Sequence, residues 1–136
     1  MIKSRFAISL HIMTLLALDK DDWHTSTHIA GSLNINPALV RKEIANLKSG
    51  GLIESKEGKN GGVRLRKKAR EIYLADIFKL AKGESNVLSL SKNMPNPACR
   101  VGRQINEKLG NILETIDEAV ILALQKQTLE TFKNQF

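Results

Sequence analysis

The sequence predicts a mainly α-helical fold with one small β-ribbon and a long C-terminal helix, and three observations carry that prediction. Residues 25–49 divide into two short segments of helical apolar periodicity around a tight turn at 34–36. Residues 52–66 read as two strand-like runs separated by Gly58-Lys59-Asn60-Gly61-Gly62, the pattern of a hairpin. Residues 101–123 place apolar side chains at four- and three-residue steps, the stripe of one amphipathic helix.

Each element follows from local chemistry. Ser4 stands where a cap opens a first helix, predicted to run to about Leu18. Its apolar residues, from Phe6 and Ile8 to Leu15 and Leu16, cover so broad an arc that the helix must be met on two sides. Residues 19–24 form a polar loop, with Trp23 expected to anchor against the core. Thr25 or Ser26 caps a second helix whose Ile29, Ala30 and Leu33 share one face. Asn34 tolerates the left-handed backbone that a sharp interhelical turn needs. Asn36 caps a third helix, with Pro37 at its first position, where a missing N–H costs nothing. Val40, Ile44 and Leu47 face inward, which leaves Ala38, Arg41, Lys42, Ala45 and Lys48 outward; Gly50 stops the helix. Strands are expected over 52–57 and 63–66. Leu74, Ile77, Phe78 and Ala81 then give a short amphipathic helix ended by Gly83. Residues 84–98 are dominated by Ser, Asn and Pro and read as a linker. A single helix is predicted over 100–132, spanning roughly 50 Å at 1.5 Å per residue.

Two helices about a tight turn followed by a glycine-tipped ribbon make a winged helix-turn-helix. The predicted organisation is therefore a winged helix-turn-helix DNA-binding domain over 1–83, a linker and sensor loop over 84–99, and a dimerisation helix over 100–136. Charge supports the assignment. The net charge of +7 lies wholly in residues 1–82, with 15 Lys/Arg against 8 Asp/Glu, whereas residues 83–136 hold six of each. A basic excess confined to the motif suits a polyphosphate partner. The 42% of hydrophobic residues suffices for a core, and with only 4% aromatic that core is aliphatic. His11 interrupts the apolar opening and no small-residue cleavage site follows, so the start does not read as a signal peptide. The same run is too short to span a membrane. One cysteine excludes an internal disulfide framework, and a cytoplasmic location without membrane association is expected. A winged domain of about 80 residues, some 25–30 Å across, cannot cover the whole C-terminal stripe. A second copy covers the rest, so Ile105, Leu109, Ile112, Ile116 and Val120 are the expected homodimer contacts.

On double-stranded DNA, Arg41 and Lys42 fall on the solvent face of the reading helix, where Arg prefers the O6 and N7 of guanine. Lys48 shares that outward face, and Pro37 and Ala38 suit apolar contact with a thymine methyl group. Thr25 and Ser26 offer hydroxyls and a helix start to a phosphate, or serve as caps alone. Lys59 and Asn60 are candidate wing contacts; Arg64 either joins them or pairs with a neighbouring acid on the ribbon. Lys3 and Arg5 are candidate clamps on the phosphate backbone. Cys99 precedes the predicted helix start at Arg100, where the helix dipole, Arg100 and Arg103 favour a thiolate. It is a candidate redox sensor, with packing at a helix start as the alternative.

The residues Ser4-Arg5-Phe6-Ala7, Leu47 through Glu54, Gly58 with Gly61-Gly62-Val63-Arg64-Leu65, Ile72 through Ile77, and the Cys99-Arg100-Val101-Gly102 segment together resemble the Rrf2 family of bacterial winged helix-turn-helix regulators. The resemblance spans nearly the whole chain. It implies a two-fold homodimer, joined through the long C-terminal helix, that binds a palindromic operator, usually as a repressor. Members that hold an iron–sulfur cluster carry three cysteines in the linker; here Cys99 is alone and no histidine lies between 83 and 136. A cluster needs about four protein ligands, so no cofactor is expected. Family members often carry an acidic residue and a glutamine where Arg41 and Lys42 stand, and a basic residue where Glu57 stands; their operator does not transfer.

Other functions fit less well. His11, His24 and His28 form no metal pattern, the glycine-rich stretch lacks the Gly-Lys-Ser/Thr ending of a phosphate loop, and no paired-carboxylate signature occurs, so no enzyme is expected. A winged-helix protein-interaction module would favour a neutral or acidic reading face. A non-specific nucleic-acid or RNA binder would favour exposed stacking aromatics, which the wing and third helix lack.

Overall fold

The computed structural model describes residues 4–136; the Lys3 candidate lies outside them. Helix α1 runs over Arg5–Leu18 with Ser4 at the cap position, although the Ser4 hydroxyl accepts no backbone N–H. Ile12, Met13 and Leu16 are fully buried and form the centre of the core. Helix α2 (Ser26–Leu33) opens on Thr25, whose hydroxyl accepts the His28 N–H at 3.1 Å. Asn34 takes the left-handed turn at φ 55°. Helix α3 (Pro37–Ser49) opens on Asn36, whose side-chain carbonyl accepts the Ala38 N–H at 2.8 Å, and ends at Gly50. Both caps satisfy donors that helix starts leave unpaired.

The ribbon pairs β1 (Ile53–Lys56) with β2 (Gly62–Leu65) antiparallel, in a register that sets Ile53 opposite Leu65 and Lys56 opposite Gly62. It is shorter than the sequence suggests, yet it is braced. His24 exchanges backbone hydrogen bonds with Val63 at 2.9 and 2.8 Å, lending the ribbon a third edge. Gly62, at φ 147°, is required there, because any Cβ would strike the His24 backbone. Trp23 does not enter the core: it is half-buried, with the Arg64 guanidinium 4.2 Å from its ring centre. Its indole serves the wing instead, as a cation–π platform.

After a 3-10 turn (Ala69–Glu71), helix α4 (Leu74–Lys82) packs on α1, where Phe6 meets Phe78 edge-on at 5.7 Å. The predicted single helix over 100–132 is broken in two. Residues 100–104 are wound in turns, α5 occupies Ile105–Leu124, and α6 follows at Leu129–Lys133. At 1.5 Å per residue α5 is about 30 Å long. The break has a physical cause. Residues 127–129 lie extended beside 72–74: Leu74 donates to the Gln127 carbonyl at 2.9 Å and Leu129 to the Ile72 carbonyl at 2.7 Å. Thr128 then caps α6 by accepting the Thr131 N–H at 3.1 Å, and Leu129 is fully buried. Helix α6 covers the second side of α1, which explains that helix's broad apolar arc. Helix α5 docks on α4 through Leu113 and through Asp117, which meets Lys82 at 3.4 Å and accepts the Val87 N–H at 2.9 Å.

Candidate nucleic-acid interface

Helix α3 is amphipathic in the required sense. Val40, Ile44 and Leu47 are buried, while Ala38, Arg41, Lys42, Ala45 and Lys48 are exposed and Pro37 is half-buried. At about 100° per residue, Ala38, Lys42 and Ala45 mark the middle of the outward face and Arg41 and Lys48 its edge. That edge adjoins the wing: the Lys48 ammonium donates to the Ser55 hydroxyl of β1 at 2.6 Å. Lys59 and Asn60 are exposed at the ribbon's tip, with Asn60 in the left-handed region at φ 66°. The exposed face of α3 is thus joined to the wing at Lys48 and Ser55, and the ribbon carries Lys59 and Asn60 at its exposed end.

Two cations are already engaged. Arg64 pairs with Glu54 across the ribbon at 2.8 Å, the alternative its neighbourhood allowed, while lying over Trp23. Arg5 is held by Glu43, Nε to Oε1 at 2.9 Å, with Ser9 donating to the other carboxylate oxygen at 3.3 Å. Glu43 is 5% exposed and sits on the inner face of α3, where the helical period calls for an apolar residue. A buried carboxylate is tolerated only when paired and hydrogen-bonded; here Arg5 and Ser9 do both. Sequence reasoning missed Glu43, although an acid on the apolar stripe was the available signal. It also missed Leu39, which is 51% exposed on α3. Thr25 is exposed and caps α2, and Ser26 is half-buried as its first residue.

Along α5, Ile112 is 55% exposed, and Ile105, Leu109, Ile116 and Val120 are half-buried. The side that meets α4, marked by Leu113 and Asp117, lies roughly 80° around the helix from the centre of this stripe. The stripe is therefore centred away from the side that seats α5 on its own domain, with Ile112 its most exposed member. Cys99 is exposed rather than packed. The helix begins at Ile105, so its dipole is not what acts on the thiol. Hydrogen bonds from the backbone N–H groups of Gly102 and then Val101 hold the thiol below its ordinary pKa, against a smaller opposing effect of desolvation. Its surroundings do not fit an iron–sulfur centre. The linker supplies one thiol, and no group of three or more His, Cys, Asp or Glu among the described residues is arranged to hold a metal ion. No helix among them is long and apolar enough to cross a membrane.

The family model described as Rrf2, iron-dependent transcriptional regulator, matches residues 2–135. The chain belongs to the Rrf2 family. Its relatives in that family include YwnA of Bacillus subtilis strain 168, a candidate HTH-type transcriptional regulator, 31% identical over 134 residues and aligned over 98% of each chain. Among solved structures, a candidate transcriptional regulator from Lactobacillus plantarum superposes with a TM-score of 0.79 at 22% identity, covering 97% of this chain and 89% of the other. CymR, the global cysteine regulator of B. subtilis, gives 0.70 at 22% identity, covering 98% and 95%. This Rrf2 protein is thus a DNA-binding transcriptional regulator with a winged-helix fold, in a family of regulators rather than enzymes.

Proposed function

We propose that the protein is a homodimeric repressor that reads a palindromic operator. The observation that carries this reading is the outward face of α3, where Arg41 and Lys42 are exposed beside Ala38 and make no ion pair among the described residues. Placed in the major groove, Arg41 reads guanine with its planar fork, Lys42 follows, and Pro37 and Ala38 meet a thymine methyl group. Thr25 and Ser26 hold phosphates at the start of α2, Lys48 supports the wing-side edge, and Lys59 and Asn60 reach the adjacent groove. Arg5 turns its remaining N–H groups to the backbone, and Arg64 stiffens the wing. The stripe Ile105, Leu109, Ile112, Ile116 and Val120 joins two chains about a two-fold axis, which places the reading helices on inverted half-sites. Footprinting with excess random duplex is the test. An inverted repeat with half-site centres about 10–11 bp, or a multiple, apart is the expected result. Equal loss of signal to random DNA overturns specific reading.

A thiol response deepens the proposal, because Cys99 is exposed with its thiolate favoured by two backbone donors. On meeting a low-molecular-weight disulfide, the thiolate attacks one sulfur, the S–S bond breaks, and the other half leaves as a thiolate. The added group alters the linker that Asp117 ties to α4 and α5. Cys99→Ser should keep operator affinity and lose the response to disulfide stress. Equal affinity of a fully modified parent, with modification verified by intact mass, removes the sensing role and leaves operator reading untouched.

A further inference from the structure

Behind the wing, a cleft of about 670 Å3 opens between the end of α1, the base of β2, the 3-10 turn and α6. It lies on the ribbon face turned away from α3. Ser55 points to Lys48 of α3, so Glu54 and its cross-strand partner Arg64 point the other way, into the cleft wall. Seven cationic and three acidic side chains line it, a net charge of +4. The Arg64–Glu54 pair accounts for one of each. Among the described residues, Arg66, Lys67, Lys68, Arg70 and Lys133 make no ion pair.

The reading face does not explain this charge. Strand β2 climbs away from the tip at about 3.3 Å per residue, so the cations beyond Leu65 stand roughly 15 Å from Asn60 and Gly61. Cations gathered on a concave wall repel one another and raise the local concentration of anions. Leu18, 46% exposed, and Leu65 add apolar surface to the same cleft.

We propose that this cleft is a binding site for a small organic polyanion, a molecule with two or more phosphate or carboxylate groups on a partly apolar body. Arg66 and Arg70 offer the planar fork that grips such groups in pairs of hydrogen bonds, and the lysines act as point charges. Leu18 and Leu65 take the body. Because β2 and α6 both line the cleft, a ligand there joins the wing to the C-terminal helices and changes operator affinity. That consequence rests on the operator reading above; the binding itself does not.

The test is calorimetric titration of the full chain with ATP, pyrophosphate and citrate in physiological salt. Two variants separate the surfaces: Lys68→Glu/Arg70→Glu in the cleft and Arg41→Ala/Lys42→Ala on α3. At least one probe should bind at one per chain, weakened about tenfold or more, roughly 1.4 kcal/mol, by the cleft variant and left nearly unchanged by the α3 variant. ATP and pyrophosphate binding without citrate assigns phosphate, the reverse assigns carboxylate, and ATP above pyrophosphate assigns a role to the body. Arg66→Gln/Lys67→Gln, a milder change, repeats the comparison should the charge reversal fail to fold. No binding by any probe overturns the site, as does equal loss in both variants, which marks general attraction of anions to a basic protein. Unchanged operator affinity at saturating probe overturns the regulatory step alone.

Discussion

Arg5→Ala strands a carboxylate inside the protein, and the cost follows from the geometry. Glu43 is 5% exposed, and beyond Arg5 its side-chain donor is the Ser9 hydroxyl at 3.3 Å. Removing one partner of a fully buried pair costs about 3–5 kcal/mol. The Arg5 side chain is 35% exposed, so water partly replaces it, and the loss falls to about 2 kcal/mol. For a chain of this length that is roughly 6–8 °C in Tm. Glu43→Leu instead supplies the apolar residue that the inner face of α3 calls for, and leaves Arg5 free to turn to solvent; its cost should stay within about 1 kcal/mol. The double variant Arg5→Ala/Glu43→Leu should then be more stable than Arg5→Ala alone by about 2 kcal/mol, because no buried charge remains. Urea unfolding at one fixed chain concentration measures all four members of the cycle, concentration being held because the proposed self-association would contribute to apparent stability. A double variant no more stable than Arg5→Ala would refute the account of Glu43. Operator binding by the double variant reports separately on Arg5: a salt-dependence slope reduced by about 1 marks a lost phosphate contact.

Three further outcomes are expected. Arg41→Ala should cost about 1–3 kcal/mol of operator affinity and relax preference at one base pair, whereas Lys59→Ala should weaken all duplexes alike; selection from a randomised duplex pool distinguishes them, and an unchanged preference for Arg41→Ala refutes base reading. Ile112→Asp/Ile116→Asp should convert the proposed dimer to monomers in sedimentation, because an unpaired carboxylate in an interface costs several kcal/mol; a dimer that survives moves the interface elsewhere. The rate of Cys99 alkylation should begin its rise at lower pH than that of an ordinary thiol, since backbone donors favour the thiolate; a profile matching a free thiol or lying above it contradicts those hydrogen bonds.

The reading helix was legible because each boundary has its own chemistry: Thr25 and Asn36 accept the backbone donors expected of them, and Asn34 makes the left-handed turn. The wing was legible from its glycines but not its bracing, since the pairing of His24 with Val63 joins residues far apart in sequence. Trp23 was misassigned because a large aromatic ring in a loop reads as a core anchor, whereas its partners are cations on the ribbon. Most informative is the C-terminal segment. The apolar period of residues 101–123 gives way at 125–128 to Gln-Lys-Gln-Thr, but no proline or glycine stands there to force a break. Thr128 was a legible cap for a new helix, but the pairing of residues 127–129 with 72–74, which draws the chain out of its first helix, is tertiary information. Candidate contacts on α3 were legible as a face, while the engagement of Arg5 by Glu43 was not, because it spans 38 residues.

The return of residues 127–129 to the strand-like segment at 72–74 also constrains how the protein is made. Leu129 fills the core against α1, yet a ribosome delivers it after every residue of the reading helix and wing. A nascent chain that has exposed only the first 83 residues therefore carries an unfilled core and one uncovered side of α1. It completes its packing only once α5 has also been synthesised. The packing of the domain that carries the reading helix and the helix proposed for pairing with a second chain are thus completed together.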